Sequence, residues 1–483
     1  MRLRVFALSL MLVLAGAGPS AGGELQDDLI TRRAAIMQQL TPDDMLVLWS
    51  APERVYSNDV DYEFRQDSYF YYLTGVDQPN SILVIMPGNR ERTAILFVAP
   101  PDPQREHWNG HLLTTAEATA QSGIATVYST TAFDNFMDAV LAGGSYPAGS
   151  QDFARFQSAT AQQRARLMVL GPPPGLTGEL SAEYRFANKV RERFLGVTVG
   201  DATRILSGAR QVKTAYEQKV IRESARVSSE AHMAGMKAAR PGAYEYEVEA
   251  AIEYVYKKNG AFDWGYPSIV GSGPNATILH YEKSTRQMND GELLLVDAAA
   301  FFKYMTVDIT RTYPVNGRFT REQRDIYSLV LQAQEEGIKA ATPGNRLSDI
   351  HQKTVEVIKQ GLLRLGLITD ATGDQYRMWY THNASHWIGM DVHDVGDLRR
   401  PLESGMTFVI EPGIYVRENV LDLLPRTPAN EALIAAIRPA VQKYKDIGIR
   451  IEDSFLLTAS GLTRLSATVP RTADEVEQFM KMR

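Results

Sequence analysis

No cysteine occurs among the 483 residues. Its absence excludes disulfide scaffolds, thiolate metal sites, iron–sulfur clusters and cysteine nucleophiles. Any metal must therefore be held by imidazoles and carboxylates, and the chain has only eight histidines. A surplus of positive charge is missing too. Lys and Arg number 51 against 57 Asp and Glu, a formal net charge of −6. That balance excludes a general nucleic-acid footprint, because phosphate binding draws on a Lys/Arg excess on one face. Past the first two dozen residues there is also no apolar run fit to cross a bilayer. What is there is ordinary globular composition, 44% apolar and 22% charged. At roughly 100–200 residues per domain, the length predicts two or three domains.

Residues 1–23 read as a signal peptide. Arg2 and Arg4 precede an apolar run, Val5 to Ala17, and Ala15-Gly16-Ala17 and Ala21 offer small-residue cleavage sites. The run is shorter than the ~20 residues of a membrane span; a retained anchor is the competing reading. The expectation is an exported protein, periplasmic or extracellular, free of the membrane after processing. Residues 24–201 alternate short apolar strands, such as Met45–Trp49, Ser81–Met86 and Thr93–Val98, with helical patterns near Thr115–Gln121 and Asp134–Leu141. This predicts an α/β domain with a mixed sheet.

Residues 202–483 carry longer helices, notably over 214–239 and 321–341. Gly235-Met-Lys-Ala-Ala-Arg-Pro-Gly242 recurs 102 residues later as Gly337-Ile-Lys-Ala-Ala-Thr-Pro-Gly344, with six identities in eight positions. In both places a helix is stopped by Pro-Gly and another follows. The repeat predicts an internal duplication, two similar α+β halves facing a shared site.

Three histidines, His382, His386 and His393, lie within twelve residues. One histidine is usually solvated or a satisfied core group; three together among Gly, Trp and Asp point to binding. The carboxylates are arranged to match. Leu293–Val296 is an apolar strand ending in Asp297, and Asp308 opens the next. Phe408–Ile410 runs into Glu411, and Ile449–Ile451 into Glu452. A buried, unpaired acid costs several kcal/mol, and two side by side demand a cation between them. Four carboxylates on buried strands plus a histidine cluster point to more than one metal ion. Two adjacent divalent ions are a recurring solution for hydrolysis, holding a bridging hydroxide and clamping the oxyanion. Oxygen-rich ligation with a single imidazole suits Mn²⁺, with Zn²⁺ or Co²⁺ as substitutes.

Asp297, Asp308-Ile-Thr-Arg-Thr312, Ser385-His-Trp387, Glu411-Pro-Gly413 and Arg450-Ile-Glu-Asp453 resemble, in order and strand context, the motif set of the proline-specific metallopeptidases. These are the aminopeptidase P and prolidase enzymes of the pita-bread fold. The likeness runs over most of the chain, and Asp61–Gly75 resembles the N-terminal domain of aminopeptidase P. The resemblance implies that Asp297, Asp308, His386, Glu411 and Glu452 ligate two divalent ions. Asp308 and Glu452 would bridge both, Asp297 would bind one, and His386 and Glu411 the other. His280, His382 and His393 would bind the substrate carbonyl and assist proton movement near the proline nitrogen. Glu411 would also shuttle the proton, while Tyr415 and Arg450 support the site. Trp387 and Tyr415 are candidate aromatic walls of a proline pocket. The family tends to dimerise or tetramerise, and Trp108 is the residue expected to reach a neighbour's site. The implied partners are peptides with proline at position 2.

The chain departs from the family pattern at Ala299, Val307 and Asn383, where glycine is usual, which bears on substrate range more than on metal binding. A stretch over 417–444, between Glu411 and Glu452, is longer than expected and reads as a helical flap or as surface decoration. Ser385 before His386 favours aminopeptidase P over prolidase, whose segment usually carries glycine there. The alternatives are a prolidase confined to Xaa-Pro dipeptides and a catalytically dead pita-bread domain kept for peptide binding.

Overall fold

A computed structural model of the chain describes residues 23–171, 177 and 180–482. The segment read as a signal peptide lies outside the described residues, apart from Gly23. No helix among the described residues is long and apolar enough to cross a membrane. The chain divides into two compact units, Met1–Ala202 and Thr203–Arg483.

The first unit is built on a six-stranded sheet. In spatial order its strands are Thr126–Ser129, Ala94–Val98, Ile82–Ile85, Asp44–Trp49, Ala165–Val169 and Val197–Asp201. Ile82–Ile85 runs against both its neighbours, and the remaining pairs are parallel, so the sheet is mixed as the sequence suggests. The central strands bury nearly every residue. Their unbroken apolar runs, rather than an alternating pattern, follow from helices covering both faces. Met45, Val47, Phe97, Phe136, Phe156 and Leu167 belong to one core with them.

The second unit is α+β and duplicated. Each half opens with a Thr capping box, Thr214 with Glu217 and Thr320 with Gln323. Each then runs through two helices, Ala215–Ala238 and Glu245–Lys258 in the first half, Arg321–Ala340 and Leu347–Leu365 in the second. The repeated octapeptide serves both halves in the same two ways. Gly235 and Gly337 let the paired helices approach: an added Cβ would meet Ile252 Cδ1 at 2.9 Å and Thr354 Cγ2 at 3.0 Å respectively. Gly242 and Gly344 turn the chain with φ of +84° and +91°, a backbone region that favours glycine. Each half also contributes a three-stranded antiparallel sheet. One joins Ile269–Ser272, Leu293–Asp297 and Thr310–Pro314; the other joins Thr407–Ile410, Asp453–Thr458 and Gly461–Arg464.

Residues 417–444 form a short helix, Val420–Leu423, and a longer one, Pro428–Tyr444. They are neither flap nor decoration. Val420, Leu421, Ile434, Ile437, Val441 and Tyr444 are buried in the main core of the second unit, and Tyr444 donates to Asp325 Oδ2 at 3.0 Å.

Candidate metal centre

Asp297 closes a strand whose five residues are all buried. It stands opposite Ile269 on one side and Thr310 on the other. Asp308 lies two residues before the strand Thr310–Pro314 and is pinned by Ser454: its N–H donates to Ser454 Oγ at 2.9 Å, and that hydroxyl donates back to the Asp308 carbonyl at 2.6 Å. Glu411 and Glu452 flank a break between two ladders. Ile410 pairs with Asp453 in one and Gly413 with Arg450 in the next, so both acids fall where the backbone leaves the sheet. His386 is set by an isolated bridge between its neighbour Trp387 and Phe408, and its carbonyl accepts from the Val409 N–H at 3.1 Å.

These elements bring the five expected ligands together. Asp297, Asp308 and Glu452 present oxygens all within 4.8 Å of one another, and so do the ligand atoms of His386, Glu411 and Glu452. Glu452 belongs to both groups. Asp308 reaches towards the second, its Oδ2 lying 3.5 Å from His386 Nε2; Glu411 Oε1 lies 3.6 Å from the same nitrogen. His386 Nδ1 contacts the Trp387 carbonyl at 3.0 Å. A carbonyl only accepts, so Nδ1 carries the proton and the Nε2 lone pair faces the carboxylates. His393 forms a third group with Asp308 and His386, its ring edge-on to that of His386 with centroids 4.5 Å apart.

The electrostatics test whether cations fit. Burial, and then the neighbouring negative charges, push Asp308, Glu411 and Glu452 well above the usual carboxylate range. Asp297 goes the other way: burial acts to raise it, but the Arg450 guanidinium and the Tyr266 hydroxyl hold it low. Burial lowers His386 to about 4 and His382 to about 3. Among the described residues Glu452 Oε1 is buried with no hydrogen-bond partner. Tyr266 touches both Asp297 Oδ1 at 2.7 Å and Asp308 Oδ1 at 2.5 Å, yet one hydroxyl has a single proton to donate. A neutral imidazole beside an excess of buried, under-satisfied carboxylate oxygens is the donor set that divalent cations complete.

A support network surrounds them. Arg450 donates to Asp297 Oδ2, to Tyr415 at 2.8 Å and to Thr310 Oγ1 at 3.0 Å. Thr310 in turn donates to Glu452 Oε2 at 2.7 Å. His382 Nδ1 faces the Asn383 carbonyl at 2.9 Å, so its Nε2 accepts from Tyr415 at 2.8 Å. His280 and His393 are exposed at the rim, close enough for His280 to add to the partial burial that lowers His393.

One expected residue behaves differently. Trp387 does not line a pocket: it is 2% exposed, in a core with Leu347, Ile350, Met406 and Phe408. Trp108 is 79% exposed on the short helix Pro103–Asn109 of the first unit. Tyr266 and Ser454 were not expected at the centre, nor Thr310 as the partner of Glu452. One signal was available for Tyr266. A Cβ on its neighbour Gly265 would sit 2.0 Å from Thr306 Oγ1, so a glycine there marks a close approach to the Asp308 segment.

Fold and centre together have the form of a metallohydrolase, with acids from both halves of a duplicated domain meeting where they could hold divalent cations. The chain belongs to metallopeptidase family M24, whose model matches residues 219–459; a model described as the aminopeptidase P N-terminal domain matches residues 29–146. It is 33% identical to a Xaa-Pro aminopeptidase of Haemophilus influenzae over 464 residues, covering 94% of this chain and 97% of that one. Aminopeptidase PepP of Pseudomonas aeruginosa superposes with a TM-score of 0.79 at 33% identity, covering 95% and 98% of the two chains. Escherichia coli aminopeptidase P with the inhibitor Pro-Leu gives 0.79 at 29%, with the same coverage. Family membership implies divalent metal ions, and this centre groups residues that could hold them.

Proposed function

We propose that this chain is a Xaa-Pro aminopeptidase, removing the N-terminal residue of peptides whose second residue is proline. The observation that carries the reading is the convergence of Asp297, Asp308, His386, Glu411 and Glu452 in a chain aligned almost end to end with a Xaa-Pro aminopeptidase. Asp297, Asp308 and Glu452 would hold one ion, and His386, Glu411 and Glu452 a second. Mn²⁺ fits an oxygen-rich set with one imidazole, and Zn²⁺ or Co²⁺ could replace it. When bound, the ions supply an activated water and charge to stabilise the oxyanion.

The protein's own groups do the rest. A bond to proline nitrogen is a tertiary amide, so the leaving nitrogen has no proton and one must be delivered. Glu411, with Oε2 3.5 Å from His382 Nδ1, is the assigned carrier. His280 and His393 would bind the substrate carbonyl. Arg450 and Tyr415 orient Asp297 and His382 through the hydrogen bonds described above. The apolar run at residues 5–17 supports export, and the exposed Trp108 supports contact with a neighbouring copy in a dimer or tetramer.

Comparing turnover of Xaa-Pro-Yaa and Xaa-Pro with added Mn²⁺ tests the reading. Cleavage of the tripeptide is expected; cleavage of the dipeptide alone would make the enzyme a prolidase. A protein that binds no divalent ion and stays inactive with Mn²⁺ would refute both.

A further inference from the structure

Glu245 is completely buried, lies outside the metal centre, and has no part in the mechanism above. It is the first residue of the helix Glu245–Lys258, where the helix dipole favours an anion. Its two oxygens serve different ends of one loop. Oε1 accepts from the Ser272 N–H at 2.7 Å, the Ser272 hydroxyl at 2.8 Å and Asn275 Nδ2 at 3.1 Å. Oε2 accepts from the Tyr281 hydroxyl at 2.8 Å and the Arg286 N–H at 2.9 Å. The Glu245 N–H also donates to the Arg286 carbonyl at 3.0 Å. A single carboxylate thus ties the start of segment 272–286 to its end.

That segment carries His280, which is exposed at its tip. The next residue, Tyr281, buries its ring in an apolar cluster with Ile269, Ala276, Leu295 and Tyr415. Arg286 reinforces the closure, donating to Ser272 Oγ at 2.8 Å and pairing with Glu292. Without the carboxylate, five donors would lose their acceptor and the loop stems would be joined chiefly through Arg286. An imidazole that binds substrate must be held in place, and a loop is a poor holder unless something rigid locks it.

We propose that Glu245 is a positioning residue that closes the 272–286 loop and so presents His280 to the peptide substrate. This rests on the aminopeptidase reading and on the role of His280 in it.

The test is a double-mutant cycle on the metal-loaded enzyme, with Glu245→Gln, His280→Ala and both together. Hydrogen exchange over 272–286 is read alongside. Glu245→Gln should lower kcat/KM on Xaa-Pro-Yaa by about ten- to a hundredfold, the scale of hydrogen bonds to a charged group. Bound metal should stay at the wild-type level, and exchange should rise across 272–286 but not across 293–297. In the His280→Ala background the added loss should shrink to about twofold or less, because both changes act through one group. Equal losses in both backgrounds, or a folded Glu245→Gln enzyme with wild-type kcat/KM and exchange, would overturn the proposal. If Glu245→Gln does not fold, Tyr281→Phe, which removes one donor from the loop side, decides by the same coupling criterion. A wild-type enzyme inactive on Xaa-Pro-Yaa would instead bring down the aminopeptidase reading, and the substrate role of Glu245 with it.

Discussion

At the scale of single residues, the centre is an excess of acid restrained by one guanidinium. Arg450 sides with Asp297, leaving Asp308, Glu411 and Glu452 to be neutralised by other means. Asp308→Ala is therefore expected to lose bound metal and metal-dependent cleavage. Stability in the metal-free state should change by only about 1 kcal/mol, since one of several mutually repelling groups is removed. Metal analysis, turnover and thermal melting of the apo-protein check this. Asp394 is the opposite case. Burial acts to raise it, but Lys213 and Arg210 hold it below the usual range, with Lys213 Nζ 2.7 Å from its Oδ2. A depressed carboxylate contributes stability that is present above its unfolded pKa, about 3.9, and lost as pH falls through the lower folded value. Asp394→Asn, which removes the buried carboxylate that Lys213 and Arg210 share, should cost about 3 kcal/mol near pH 7. The gap in melting temperature from wild type should narrow below about pH 4. The grouping of the five candidates was legible in the sequence because the four acids adjoin apolar strands, a costly arrangement without a purpose, and His386 sits in a histidine cluster. Their roles as ligands are what the family resemblance implies. Tyr266 and Ser454 were not legible, because a hydroxyl carries no such cost until folding places it against a carboxylate.

At the scale of elements, parity and register decide what the motifs alone do not. His386 and Trp387 are consecutive on an extended segment, so their side chains leave opposite faces. Once His386 faces the carboxylates, Trp387 must enter the core. Its expected place as a pocket wall fails for that reason. The stretch 417–444 departs from expectation for a related reason: its length and helical character are visible, but not that Ile434, Ile437 and Val441 face a buried surface. Because that helix is part of the core, Ile437→Ala should destabilise the protein by about 2–4 kcal/mol. It should leave kcat/KM on Xaa-Pro-Yaa unchanged, which denaturant unfolding and steady-state kinetics would measure. A flap over the site would give the reverse, altered kinetics with little loss of stability.

At the scale of the whole molecule, duplication was the most legible feature and strand direction the least. Two Pro-Gly stops 102 residues apart announced two halves, whereas nothing in the composition of Ile82–Ile85 marks it as the strand that runs against both neighbours. Buried strands of either direction show the same apolar run, since burial on both faces sets their content. The paired stops also give the molecule a built-in replicate. An added Cβ at Gly242 or at Gly344 would meet no atom within 4 Å, and both residues have positive φ. The cost of alanine at either position is then a backbone cost alone, about 1 kcal/mol. Gly242→Ala and Gly344→Ala should accordingly lower the melting temperature by matching amounts. The repeated loop thus acts as a calibrated pair of gauges, one in each half, and a mismatch between them would report how far the two copies have diverged in their tolerance of the same strain.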